Sequence, residues 1–289
     1  MFRRTSRSAL VALAAASLAL AGCGGEDAEE PDDAAQLGAE GGVELVNEGA
    51  LTVCTHLPYP PFEFAEGDEV VGFDIALMQE LASDLGLDPS DPEQFQVLNT
   101  PFEGIQSGED LNARSCDIAA AGMTITPERQ EAIAFSDPYF DATQALITEA
   151  GSGYDSLESL EGQTLGVQQG TTGEIYAQEN APEGVELRVY EDLQLLLTAV
   201  QTGQVAAAIN DNGVLYDYVQ DNPDLEVTTE FDTGEQYGFG IRLDNEPLVE
   251  QTNETLARLQ EDGTYAEIYE EWFGTAPGGA DASPSPASS

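Results

Sequence analysis

The sequence predicts an α/β protein built as two lobes. Three observations carry that expectation. Short β-rich runs alternate with amphipathic helical segments, which argues for a mainly parallel sheet covered by helices. The pattern restarts near Thr164 after a first complete set. A late run with period-two alternation, Tyr237-Gly238-Phe239-Gly240-Ile241, then brings the chain back before two final helices. Two α/β units plus a return segment imply that the chain crosses between the lobes more than once.

The elements follow in order. Leu51–Thr55 reads as a strand and runs into the Pro-rich loop Pro58-Tyr59-Pro60-Pro61. Phe73, Leu77, Leu81 and Leu85 recur at four-residue spacing, one face of a helix stopped at Gly86. Gln96–Leu98 and Asp117–Ala121 are further strands, the second small and apolar enough to be fully buried. The stretch Gln106–Ser115 contains Gly108, which leaves the shape of that helix open. In the second unit, Thr164–Val167, Glu186–Tyr190 and Val205–Ile209 are strands; Glu174–Asn180 and Leu193–Val200 are helices. Glu246–Glu261 and Thr264–Phe273 close the fold as amphipathic helices.

The ends differ from this pattern. Arg3, Arg4 and Arg7 precede an apolar run, Ala9–Ala21, that is too short to span a bilayer comfortably. It ends in Leu20-Ala21-Gly22-Cys23, so residues 1–22 are expected to be an export signal and Cys23 a lipidated anchor. A plain secretory signal with a chance Cys is the alternative. Residues 23–42 read as a flexible tether and 275–289, ending Ser-Pro-Ser-Pro-Ala-Ser-Ser, as a disordered tail. The expected location is the outer face of the cell membrane or the periplasm. Export permits a disulfide between Cys54 and Cys116; two separate buried thiols fit as well.

The chain has 289 residues with 55 acids against 8 bases, all of them Arg, for a formal net charge of -47. That balance excludes a nucleic-acid binder, because gripping phosphates needs surplus Lys and Arg. An apolar fraction of 41%, with ten Tyr and eleven Phe, is enough to bury a core.

Three constellations could hold a solute. In Ala121–Arg129 a buried strand ends in Gly122-Met123-Thr124, at the sheet edge where open α/β folds present ligands. Thr126 looks like an N-cap with Pro127 at the first helical position, which puts Arg129 in the first turn. A cation there opposes the helix dipole, a misfit that makes sense if Arg129 grips an anion. A surface Arg pairing with one of the many acids fits the same pattern. In Gln168–Glu174, Thr171 and Glu174 fit a capping box, and the hydroxyls of Thr171 and Thr172 with free N–H groups make an anion site or an ordinary capped turn. In Asn210-Asp211-Asn212, Asp211 could hold an ammonium or merely cap the next helix. Arg plus Thr for a carboxylate and Asp for an amine is the complement of an amino-acid zwitterion. Tyr59 and Phe102 could clamp a side chain or fill the core, and His56, the only His, ends the first strand at the same edge. One His gives no His-pair metal site and no Ser-His-Asp set.

At this point the chain resembles the polar amino-acid solute-binding proteins of ABC importers, extracellular family 3. The matching runs are Tyr59-Pro60-Pro61-Phe62-Glu63-Phe64, Gly72-Phe73-Asp74-Ile75, Ala121–Arg129, Phe135-Ser136-Asp137-Pro138-Tyr139, Gly166–Thr172, and Asp262-Gly263-Thr264-Tyr265 through Trp272-Phe273-Gly274. The resemblance implies a type II periplasmic-binding-protein fold, α/β, with two lobes joined by a two-strand hinge. Lobe 1 would be residues 43–142 and 236–274, and lobe 2 residues 143–235, with hinges near Asp141–Thr143 and Gly234–Gln236. It implies that Arg129 holds the ligand carboxylate, helped by Thr124, Thr171 and nearby N–H groups. Asp211 and the Gly122 carbonyl would take the amine, and Tyr59 and Phe102 would flank the side chain.

The implied function is delivery of a free amino acid to an ABC permease in the membrane, with no cofactor and no catalysis. The protein is expected to be monomeric. Relatives that bind Lys, Arg or Gln commonly carry Asp where this chain has His56. With Gln168 and Asn210 the other pocket candidates, the expectation is a neutral polar or acidic ligand side chain. The competing expectation is an enzyme on the same fold, similar to cyclohexadienyl dehydratase, which needs a placed acid or base beyond the zwitterion set.

Overall fold

The computed structural model describes residues 42–277. The expected signal, the expected lipidation site Cys23, most of the expected tether and most of the expected tail lie outside the described residues. In chain order the elements are β1 (Leu51–Thr55), β2 (Phe64–Glu66), β3 (Glu69–Val71), α1 (Phe73–Asp84), β4 (Phe95–Asn99), α2 (Phe102–Gln106), α3 (Glu109–Asn112), β5 (Ile118–Ala119), α4 (Pro127–Gln130), β6 (Ala134–Phe135) and β7 (Phe140–Glu149). A 3-10 turn, Glu158–Leu160, precedes β8 (Thr164–Gln168), α5 (Thr172–Asn180), β9 (Glu186–Tyr190), α6 (Leu193–Gln201), β10 (Ala207–Asp211), α7 (Asn212–Asp221), β11 (Leu225–Tyr237), β12 (Gly240–Ile241), α8 (Glu246–Asp262) and α9 (Thr264–Phe273).

Two five-stranded sheets organise the chain, in the orders β4-β1-β5-β12-β6 and β11-β7-β10-β8-β9. Within each, two pairings are parallel and two antiparallel. The sheets are therefore mixed, which corrects the expectation of mainly parallel strands. The long antiparallel pair β7 and β11 and the returning β12 account for the difference. Both crossings between the sheets run through the first pair, where Asp141 faces Gln236 and Ala142 faces Glu235.

Local chemistry explains the elements that shape the cleft. The first amides of α1 need no side-chain cap, because Phe73 N donates to Pro61 O (2.9 Å) and Asp74 N to Phe62 O (3.0 Å). That seat requires glycine at Gly72: φ is 133° and a Cβ would lie 2.1 Å from the Phe62 carbonyl oxygen. Phe73, Leu77, Met78 and Leu81 of α1 are buried as their spacing requires. Gly108, at φ 75°, breaks the Gln106–Ser115 stretch into the ends of α2 and α3. In the first half the rings of Phe62, Phe73, Tyr139, Phe140, Tyr237, Phe239 and Phe273 pack in T-shaped, tilted and stacked pairs 4.1–6.3 Å apart, and the same buried cluster continues into Ala145, Ile147 and Leu196 of the second half. Cys54 and Cys116 form a disulfide with Cα atoms 5.7 Å apart. Among the described residues no helix is long and apolar enough to cross a membrane.

Candidate functional site

A narrow cavity opens where the C-terminal ends of β1, β5, β8 and β10 converge. His56, Tyr59 and Phe102 line it from the first half, together with Gly122, Thr124 and Arg129. Gln168, Thr171, Thr172 and Asp211 line it from the second half. Asn210 stands behind this wall, donating from Nδ2 to Gln168 Oε1 (3.1 Å).

Arg129 is positioned by a four-residue helix. Thr126 caps it, accepting from Arg129 N (3.2 Å), with Pro127 at the first position. The side chain turns inward and is 5% exposed. Its Nη1 donates to Thr124 O (2.7 Å) and its Nη2 crosses the cleft to Gly170 O (3.0 Å); its Cζ lies 5.3 Å from the Phe102 ring centre. Among the described residues no carboxylate stands within ion-pair distance, whereas Arg114, Arg242 and Arg258 each have at least one. In a chain with so many acids, a buried guanidinium with no carboxylate partner and three N–H donors to spare points to an anionic ligand. Burial lowers its pKa, with the nearby charges of Asp211 and Glu235 acting in the opposite direction.

Asp211 ends β10, two residues beyond the expected end of that strand, and does not cap α7. Its carboxylate turns into the cavity instead, 5% exposed. It accepts from the Tyr237 hydroxyl and from Gln144 Nε2, and the Tyr59 hydroxyl lies 3.0 Å from both its Oδ2 and Asn210 Oδ1. Tyr59 is thus more than a side-chain clamp, because it spans the cleft. Burial and the charge of Glu235 push Asp211 up to about 7, against the pull of its hydrogen bonds. No cation is bonded to it among the described residues.

Gly122 adopts φ 49°, and a Cβ there would lie 2.8 Å from Tyr59 Cε1, so only glycine brings the strand end this close to the ring. Its N–H donates to Asp74 Oδ2 (3.0 Å), and the Tyr139 hydroxyl donates to the same carboxylate. Burial pushes Asp74 up to about 7. Thr171 caps α5 as expected, accepting from Glu174 N (3.2 Å), but its own proton goes to Gln168 O (2.8 Å). The Thr171 hydroxyl is therefore already spent in this arrangement, and the donors left at this edge are the first amides of α5.

Four residues without an assigned role emerge. Gln144 and Tyr237 hold Asp211, and Glu235 contacts Thr124 and Thr172. Glu63 is the most informative. It is fully buried, lines the cavity, and among the described residues neither carboxylate oxygen has a hydrogen-bond partner. Burial and the charge of Asp74 push its pKa well up. Its signal was an acid set between Phe62 and Phe64 at the start of the fold. His56 Nδ1 lies 2.9 Å from Thr100 O, a carbonyl that can only accept, so the proton sits on Nδ1. Its Nε2 has no hydrogen-bond partner among the described residues, and the ring lines the cavity.

Residues 51–275 match the bacterial extracellular solute-binding proteins, family 3. The chain belongs to that family. A relative, ABC transporter arginine-binding protein 1 of Escherichia coli, is 32% identical over 221 residues, 74% of this chain and 87% of its own. The structure of an ancestral arginine-binding protein bound to arginine superposes with a TM-score of 0.72 at 37% identity, covering 78% of this chain and 99% of that one. An ancestral amino acid-binding protein described as a precursor of cyclohexadienyl dehydratase gives a TM-score of 0.70 at 33% identity over 78% and 95%. The architecture is therefore that of the type II periplasmic amino-acid-binding proteins, and these family members work with ABC transporters.

Proposed function

We propose that this member of the family captures a free L-amino acid with a basic side chain between its two halves and hands it to an ABC permease from a lipid anchor at Cys23. The carrying observation is the pair of buried opposite charges, Arg129 and Asp211, facing one cavity without an ion-pair partner. Arg129 with the α5 amides takes the carboxylate; Asp211 with the Gly122 carbonyl takes the ammonium. The hinges lie where β7 and β11 cross, with 43–142 and 236–274 moving against 143–235.

The side-chain preference departs from the expectation drawn from His56, Gln168 and Asn210. That argument omitted Glu63. A buried carboxyl whose two oxygens have no partner among the described residues asks for a side chain rich in N–H donors. The arginine named in the two relatives above supports the same choice. Calorimetry on wild type and Glu63→Gln tests it. Arginine should bind more tightly than glutamine or glutamate, with proton release from Glu63 visible in buffers of different ionisation heat. Glutamate or glutamine bound more tightly than arginine would refute the preference.

One observation favours the enzymatic reading, since Glu63 is a buried acid of the sort a dehydratase needs and the sequence had not revealed it. Product absorbance after incubation with prephenate or arogenate separates the two. Turnover lost in Glu63→Gln would replace capture with catalysis.

A further inference from the structure

Glu235 sits on β11 at the crossing between the two sheets, opposite Ala142. One of its oxygens, Oε2, accepts from Thr124 Oγ1 (2.8 Å) and from Thr172 Oγ1 (2.7 Å). Thr124 follows β5 on one wall of the cleft; Thr172 opens α5 on the other. The two hydroxyl oxygens are 3.5 Å apart. Gln144 Nε2 steadies the other carboxylate oxygen at 3.1 Å and also reaches Thr172 Oγ1 (3.2 Å).

Each hydroxyl carries one proton. Both protons are spent on Glu235, so Thr124 and Thr172 show only lone pairs to the cavity. They therefore do not act as carboxylate donors in this arrangement. What they do instead is join the two walls through a single acceptor on a strand that belongs to the crossing. Opening the cleft separates Thr124 from Thr172 and leaves Glu235 at most one of them. Charge-assisted hydrogen bonds to a half-buried carboxylate are among the stronger ones available, so the bond pair favours the closed arrangement over the open one.

We propose that Glu235 is a closure latch, a positioning residue that acts through Thr124 and Thr172 to hold the two walls together and so slows ligand release. Its kinetic consequence rests on the capture reading; its effect on shape does not.

The test compares E235A and E235Q with wild type. Release and association are measured by stopped flow with arginine as the probe, and small-angle X-ray scattering measures the ligand-free proteins. E235A is expected to speed release at least tenfold, with association unchanged within threefold, and to raise the ligand-free radius of gyration. E235Q keeps an acceptor oxygen for both hydroxyls but loses the charge assistance, so it should release faster than wild type and more slowly than E235A. Wild-type release in E235A overturns the latch. E235Q as fast as E235A also overturns it, because the charge of Glu235 near Asp211 and Arg129 would then be the agent. If neither arginine nor any other amino acid binds, the capture reading fails and scattering decides alone: expansion of E235A supports the latch, and superimposable curves refute it. Should E235A not fold, Thr124→Val with Thr172→Val removes both donors and must reproduce the fast release.

Discussion

Removing the Arg129 guanidinium is the most direct test of the capture site. Arg129→Ala takes away a buried cation that has no carboxylate partner among the described residues, together with its bonds to Thr124 O and Gly170 O. A ligand carboxylate entering the cavity would then be desolvated without a counter-charge. Truncating one member of a buried charge pair costs about 2–5 kcal/mol. At about 1.4 kcal/mol per decade, affinity should fall roughly 30- to several-thousand-fold. The loss must be common to every amino acid that binds, because the carboxylate is common to all, whereas Glu63→Gln should discriminate among side chains. Isothermal calorimetry at fixed ionic strength, with circular dichroism to confirm the fold, reads both. An affinity changed less than threefold, or a loss confined to one side-chain class, would refute the assignment.

Three further outcomes follow from the same structure. Asp211 is pushed up to about 7 and must be ionised to hold an ammonium, so amino-acid affinity should fall as pH drops below about 7, approaching tenfold per unit, and this dependence should weaken in Asp211→Asn; calorimetry between pH 5 and 8 checks it. Asp74 and Asp211 titrate in the fold well above their usual carboxylate value, so the stability they lend is complete at low pH and is lost as pH rises toward about 7; the ligand-free Tm should therefore rise from about pH 7 to pH 5, by up to about 1.4 kcal/mol per unit per group, stay nearly flat from pH 8 to 7, and Asp74→Asn should flatten the curve. The Cys54–Cys116 bridge spans a sequence separation of 62, so reduction should cost about 4 kcal/mol in the chain-entropy account, and thiol titration of the unfolded, unreduced protein should find neither cysteine free.

Much of the cleft could be read from local chemistry. The Thr126 cap, Pro127 and the misfit of Arg129 with its own helix are interactions within a few residues, and Thr171 with Glu174 is another. Both put the expected side chains at the cavity. The helix face of Phe73, Leu77 and Leu81 is a consequence of period alone. The two long crossing strands were not visible that way. In β11 exposure alternates from Thr229 to Gln236, but no inward position there except Phe231 is apolar, and two register shifts interrupt its pairing, so its sequence carries no apolar alternation. The roles of Glu63, Gln144, Tyr237 and Glu235 were hidden for a related reason. Each acquires its meaning from a partner far along the chain, or from having none.

The sequence by itself determined the family, the α/β units, the capped turns and the identity of the charged pair, because these rest on spacings that the backbone turns directly into geometry. Only the tertiary structure decided which polar groups are satisfied. Whether Thr124 can donate, whether Glu63 has a partner, and how strongly Asp211 holds its proton all depend on burial and on atoms more than twenty residues distant. Those are properties of a low-dielectric, closed environment that does not exist until the two halves meet.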